Sequence, residues 1–247
     1  MVKPGERCEA LGGGLSVVCS KTHPVTSDAV LLAHFAAPKA REICCDLGTG
    51  CGIIPLLWLR DARPKEIVAV EIAASAAALF EKTRTVCAKA NAVRYLRADL
   101  RELKGVLPAG HFDMVSINPP YYPQGSGKIR EGDAGDARHD RTCTLADACR
   151  AAADLLKNGG RFCVCMRPER LAELLCAMRD CRLEPKRLRE VCARAGDAPN
   201  LMLAEGKKNA AAGLRFERPL ILYGPDGHYT TEAESVFCSY KNETTGG

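Results

Sequence analysis

The sequence predicts an α/β fold: a doubly wound, mostly parallel sheet covered by helices on both faces, with a short hairpin and helix ahead of it. Three observations carry this. Short, nearly continuous apolar runs alternate with longer stretches of helical character, the pattern of strands buried on both faces. The first core run passes into a glycine turn, Asp46-Leu47-Gly48-Thr49-Gly50-Cys51-Gly52. Polar groups stand at the ends of four successive runs, at Asp46, Glu71, Asp99 and Asn118, where an open parallel sheet binds its ligands.

Taken in order, residues 8–21 suit a hairpin around Gly12-Gly13-Gly14, and Thr26 and Ser27 cap a helix over 28–36 that Pro38 closes. Residues 42–47 form the first core strand and 53–60 a helix. Residues 65–72 are β-branched and reach Glu71, a second strand. The alanine-rich stretch 73–91, with Leu79, Phe80, Val86 and Cys87 at helical spacing, reads as helix. Strands follow at 93–96 and 112–117. Residues 122–141 form a long polar loop whose four basic and four acidic side chains cancel; from 124 to 141 it is expected to be mobile until a partner binds. Thr144 with Asp147 caps a helix through Leu156, stopped by Asn158-Gly159-Gly160. The fifth strand spans 161–166, Pro168 opens a helix to Asp180, and further strands lie at 187–192, 201–205 and 219–223. The expected organisation is an extension over 1–40 packed on one structural unit over 41–247.

Composition narrows the class. The chain of 247 residues has 35 Lys+Arg against 30 Asp+Glu, a net charge of +5, with 47% hydrophobic and 26% charged residues. That excludes disorder, collagen and coiled-coil arrays. The longest nearly apolar stretch, 67–80, carries Glu71 and falls short of the roughly 20 residues of a membrane span. No apolar run follows Lys3, Glu6 and Arg7, so no secretory signal is read, and a cytoplasmic chain is expected. Fourteen cysteines include no C-x-x-C pair; they read as reduced, small buried hydrophobes.

A dinucleotide fingerprint fails by one residue, because its third glycine would fall at Ile53. One glycine-rich turn is common, and Glu71 or Asp99 alone is also a solvated acid or helix cap. Their order at consecutive strand ends marks a candidate ligand site, and a carboxylate is a natural partner for two vicinal hydroxyls. Asn118-Pro119-Pro120-Tyr121 stands after the fourth strand. By itself it is also a rigid strand-terminating turn. Two prolines without N–H leave local carbonyls free, Asn118 adds a side-chain carbonyl and Tyr121 an aromatic face, a set suited to a planar substrate bearing an exocyclic amino group.

The turn resembles the D-x-G-x-G-x-G motif of class I S-adenosylmethionine-dependent methyltransferases, and the tetrad matches their (D/N/S)-P-P-(Y/F/W) motif for amino-group acceptors. The chain as a whole is similar to the bacterial tRNA(Val) adenine-N6 methyltransferase family. The likeness runs through Thr26-Ser27-Asp28-Ala29-Val30-Leu31-Leu32-Ala33, the glycine turn, the tetrad with Tyr122, Ala137-Arg138-His139-Asp140, Gly159-Gly160-Arg161-Phe162, Arg167-Pro168-Glu169-Arg170-Leu171 and Tyr229-Thr230-Thr231-Glu232. The family more often has Glu where Asp140 stands, and Gly12 to Gly14 make this hairpin unusually rich in glycine.

The resemblance implies a seven-stranded class I Rossmann-like sheet, S-adenosylmethionine as cofactor, and transfer to N6 of the adenine just 3′ of the anticodon, adenine 37 of tRNA-Val. It places the cofactor on Thr26, Asp46, Gly48, Thr49, Gly50, Gly52, Glu71, Ile72, Asp99, Leu100 and Asn118, with Glu71 on the ribose and Asp99 on the adenine amino group. Asn118, Pro119, Pro120 and Tyr121 would carry the chemistry. Tyr122, Arg138, His139, Lys186, Arg187, Lys207 and Lys208 are candidates for the RNA. For His139 no second ligand lies at metal-ligand spacing. Partners are expected to be tRNA, with no membrane, no obligate protein partner, and a monomer or homodimer. Rivals are a glutamine-amide methyltransferase acting on a translation factor, which usually has a larger amino-terminal helical domain than the roughly 40 residues here, a guanine-N2 rRNA methyltransferase, and a non-catalytic cofactor- and RNA-binding protein.

Overall fold

The computed structural model describes residues 2–119 and 143–237. The expectations for Pro120, Tyr121, Tyr122, Arg138, His139 and the 124–141 loop lie outside them.

A hairpin of β1 (Glu6–Gly12) and β2 (Leu15–Ser20) leads into α1 (Ser27–Ala36). Thr26 is the N-cap, its hydroxyl accepting from the Ala29 N–H at 3.3 Å, and Ala37 ends the helix in the left-handed region. The core then alternates β3 (Ile43–Leu47), α2 (Ile53–Asp61), β4 (Glu66–Glu71), α3 (Ala74–Val86), β5 (Val93–Arg97), β6 (Phe112–Ile117), α4 (Leu145–Leu155), β7 (Leu156–Met166), α5 (Leu171–Asp180), β8 (Leu183–Cys192) and β9 (Leu201–Lys208). Two-residue strands β10 (Arg215–Phe216) and β11 (Leu220–Ile221) and helix α6 (Thr231–Phe237) complete it.

The sheet order is β10-β8-β9-β7-β6-β3-β4-β5, with β11 also on β8. All pairings are parallel except those of β9, which runs against both β7 and β8. The seven long strands match the expectation; β10 is an addition. The order reverses between β3 and β6, and in open sheets of this kind ligands bind beyond the carboxyl ends at such a reversal. Two apolar clusters, one on each face, bury the sheet.

Several boundaries differ from the sequence reading. The helix expected over 73–91 stops at Val86, because Cys87 turns into the extended region and a 3-10 turn follows at Ala88–Ala92. Pro168 opens a 3-10 turn before α5. β7 takes over at Leu156 directly from α4, so Gly159 and Gly160 lie within a strand. β8 starts four residues early, accommodating Pro185 beside a register shift. The run at 219–223 keeps only two ladder residues.

The carboxyl end of α1 rests on two arginines from distant strands. Arg161 donates to the Ala36 carbonyl and Arg187 to the Phe35 carbonyl, each at 2.8 Å. Both also contact Glu205 Oε2, at 3.3 and 2.9 Å. Cations at exposed helix carbonyls satisfy acceptors the helix leaves open and oppose its dipole. Among the described residues no helix is long and apolar enough to cross a membrane. The thirteen described cysteines are free thiols and most are buried; burial pushes the Cys51 thiol up to about 12.

Candidate active site

The glycine turn leaves β3 with Gly48 at φ 63° and Gly50 at φ 56°, conformations that cost a side chain strain. Among the described residues a Cβ at either would meet no atom within 4 Å, so they leave space open in front of the turn. Gly52 is required for another reason: a Cβ there would sit 2.6 Å from the Phe80 ring.

Glu71, at the end of β4, is buried and fixed. Its Oε2 accepts the Gly50 N–H at 2.8 Å, and its Oε1 accepts the N–H groups of Ile72 and Ala73 at 2.8 and 2.9 Å. Three of a carboxylate's roughly four acceptor positions are thereby used, leaving one for a ligand hydroxyl. Ile72 thus contributes through its backbone. From β5, the Tyr95 hydroxyl donates to the Gly50 carbonyl at 2.8 Å, while its ring stacks on Phe80 at 4.5 Å. Sequence reasoning missed Tyr95: inside a short strand it looks like core, and only the register with β4 brings it to the turn.

Asp46 is fully buried beneath the turn. Its Oδ1 accepts from the Ser116 hydroxyl at 2.5 Å, and the buried Thr49 hydroxyl lies close enough to act on the same carboxylate. Burial pushes the Asp46 carboxyl up to about 7, against the lowering effect of the Ser116 and Thr49 hydroxyls. Two residues beyond Ser116, Asn118 leaves β6 half-buried, with the Cys165 thiol of β7 donating to its Oδ1 at 3.1 Å. Pro119 follows, buried.

Asp99 follows β5 as expected, but its carboxylate is engaged. It caps the 3-10 turn at Leu100–Glu102 by accepting from the Arg101 N–H at 2.9 Å and pairs with the Arg101 guanidinium at 2.5 Å. Leu100 lies in that turn. Thr26 serves as the α1 cap. Lys207 and Lys208 do not reach this end of the sheet, and Lys186 and Arg187 are held in contacts of their own. Lys207 pairs with Arg161, which stands opposite Met114 near the start of β6, and Lys208 pairs with Leu183 at the start of β8, so both lie toward the amino-terminal edge. Lys208 donates to the Leu156 carbonyl at 2.8 Å and Lys186 to the Ala211 carbonyl at 3.2 Å. Arg187 is committed to α1, Glu205, Glu217 and the face of Phe35. Spacing along the chain cannot tell the two ends of an antiparallel strand pair apart.

Open space before two left-handed glycines and a fixed carboxylate with one acceptor position left fit a nucleoside bearing ribose hydroxyls, such as S-adenosylmethionine.

Comparison with known proteins agrees. The model of the methyltransferase small domain family matches residues 14–177. A Tolumonas auensis protein named tRNA1(Val) (adenine(37)-N6)-methyltransferase is 28% identical over 218 residues, 84% of this chain and 85% of the relative. A Porphyromonas gingivalis protein of the same name is 28% identical over 216 residues, 84% of each. A crystal structure described as a predicted O-methyltransferase from Agrobacterium tumefaciens superposes with a TM-score of 0.71 at 23% identity, covering 86% of this chain and 96% of that one.

Proposed function

The chain belongs to the methyltransferase small domain family, and on that premise we propose that it transfers a methyl group from S-adenosylmethionine to the exocyclic N6 of an adenine in tRNA. The acceptor is taken to be adenine 37 of tRNA-Val, as in the relatives' names.

One observation carries the reading. The bond between Asp46 Oδ1 and Ser116 Oγ ties the strand that ends in the glycine turn to the strand that ends in Asn118. A cofactor held at the first and an amine held at the second are therefore neighbours at the sheet's topological switch. When bound, S-adenosylmethionine supplies an electrophilic methyl group on a sulfonium.

The chain's own task is positioning. Asn118 Oδ1 and the Pro119 carbonyl accept the two hydrogens of the amino group, drawing its nitrogen lone pair out of conjugation and toward the methyl. Tyr121 stacks on the base, as an aromatic side chain does on a base freed from its neighbours. Glu71 and the glycine turn fix the cofactor. Holding both reactants in line supplies much of such a rate enhancement, and dipoles already aimed at developing charge supply more. The amine becomes cationic on methylation and then loses its proton, so no strong base is assigned. Within this reading the enzyme works in the cytoplasm, as a monomer or homodimer.

The test is methyl transfer from labelled S-adenosylmethionine to tRNA lacking modifications, followed by nucleoside analysis. N6-methyladenosine is the expected product. Label confined to a protein fraction would move the assignment to glutamine-amide methylation.

A further inference from the structure

Phe216, on the two-residue edge strand β10, is the most exposed large apolar side chain among the described residues, at 67%, with Leu214 beside it at 40%. Single exposed apolar groups are ordinary; what distinguishes this one is its setting. Residues 207–218 carry Lys207, Lys208, Arg215 and Arg218 against one acid, Glu217, and that acid pairs with Arg187 at 3.1 Å. The guanidinium groups of Arg215 and Arg218 make no ion pair or hydrogen bond among the described residues. The result is an aromatic ring flanked by uncommitted cations, the combination with which proteins bind single-stranded nucleic acid.

Its place in the sheet connects it to the site. Phe216 stands opposite Leu188, Leu188 opposite Ala204, Ala204 opposite Val164, and Val164 opposite Ile117, the residue before Asn118. Four interstrand steps of about 4.8 Å put the ring roughly 19 Å from β6 in the row that leads to Asn118.

We propose that this edge is a second contact surface for the RNA substrate, with Phe216 stacking on an unpaired base or loop nucleotide while Arg215 and Arg218 neutralise its flanking phosphates. The proposal rests on the tRNA reading above and adds to it where the RNA lies. Edge-to-edge pairing with a second copy fits less well, because it would set the same cations of two chains against each other.

The test uses the whole chain and an unmodified tRNA transcript, measuring binding over a range of salt concentrations together with methyl transfer and S-adenosylmethionine affinity. Phe216→Ala is expected to weaken tRNA binding about five- to a hundredfold, the range for loss of one stacked base, while Phe216→Tyr binds as the wild type does. The Arg215→Gln, Arg218→Gln double variant should lower the slope of log affinity against log salt by about 2. Cofactor affinity should not change in any of them. Wild-type methyl transfer to tRNA with unaltered affinity in Phe216→Ala and in the double variant overturns the surface alone. A change of oligomeric state in Phe216→Ala at unaltered tRNA affinity overturns it in favour of a second copy. Wild-type protein that methylates no tRNA overturns the functional reading and this surface with it.

Discussion

The Cys165 thiol, on β7, donates a hydrogen bond to Asn118 Oδ1 at 3.1 Å. That oxygen is the atom assigned to receive an N–H of the amine to be methylated. A carbonyl oxygen can accept two hydrogen bonds, so a thiol that fixes the orientation of the amide is compatible with the role proposed for that oxygen. On the proposed role of Asn118, Cys165 acts through it as a positioning residue.

Cys165→Ala is expected to lower kcat about three- to tenfold, the equivalent of one weak hydrogen bond, with the KM for S-adenosylmethionine unchanged. Cys165→Ser restores a donor and should recover most of the rate. Steady-state kinetics of the two variants decide the matter, and wild-type kcat in Cys165→Ala would remove the residue from the account.

Tyr95→Phe removes only the hydroxyl that holds the Gly50 carbonyl. Loss of about 1 kcal/mol should weaken S-adenosylmethionine binding about fivefold, leaving kcat at saturating cofactor and the KM for tRNA near wild type. Calorimetric titration of the cofactor checks it; unaltered affinity would mean that the turn holds its shape without Tyr95.

Gly52→Ala combines a left-handed backbone with a Cβ 2.6 Å from the Phe80 ring. Strain and overpacking together should cost about 2–4 kcal/mol in urea unfolding. Adding Phe80→Leu should return part of that loss, which separates the steric term from the backbone term.

Much of this site is legible in the sequence. The short apolar runs announce β3, β4 and β6, and a polar residue at the end of each, Asp46, Glu71 and Asn118, announces where it stops. Tyr95 and Cys165 are not legible, since each acts across strands and its partner depends on register. Asp99 shows the converse: its position could be read, while its engagement with Arg101, two residues away, could not. Arg187 looks like part of a basic surface in the sequence, yet the fold uses it to close α1.

Asp46 provides a pH test. Its carboxyl is raised to about 7 by burial, so between about pH 4 and pH 7 the native state holds a proton that the unfolded chain has released. Stability from this group is therefore full below that window and falls as pH rises through it, by about 4 kcal/mol at most. Urea unfolding at several pH values should show Asp46→Asn gaining on the wild type from pH 5 to pH 8. A constant difference would mean that Asp46 is already ionised at low pH.

The central claim is that Asn118 receives the amine beside a separately built cofactor site. The most direct measurement pairs methyl transfer to unmodified tRNA with the S-adenosylmethionine dissociation constant in Asn118→Ala. The account predicts a loss of about a hundredfold or more in kcat, the scale of removing a preorganised polar group at the reacting centre, with cofactor affinity within about threefold of wild type. Unchanged turnover in Asn118→Ala would contradict it.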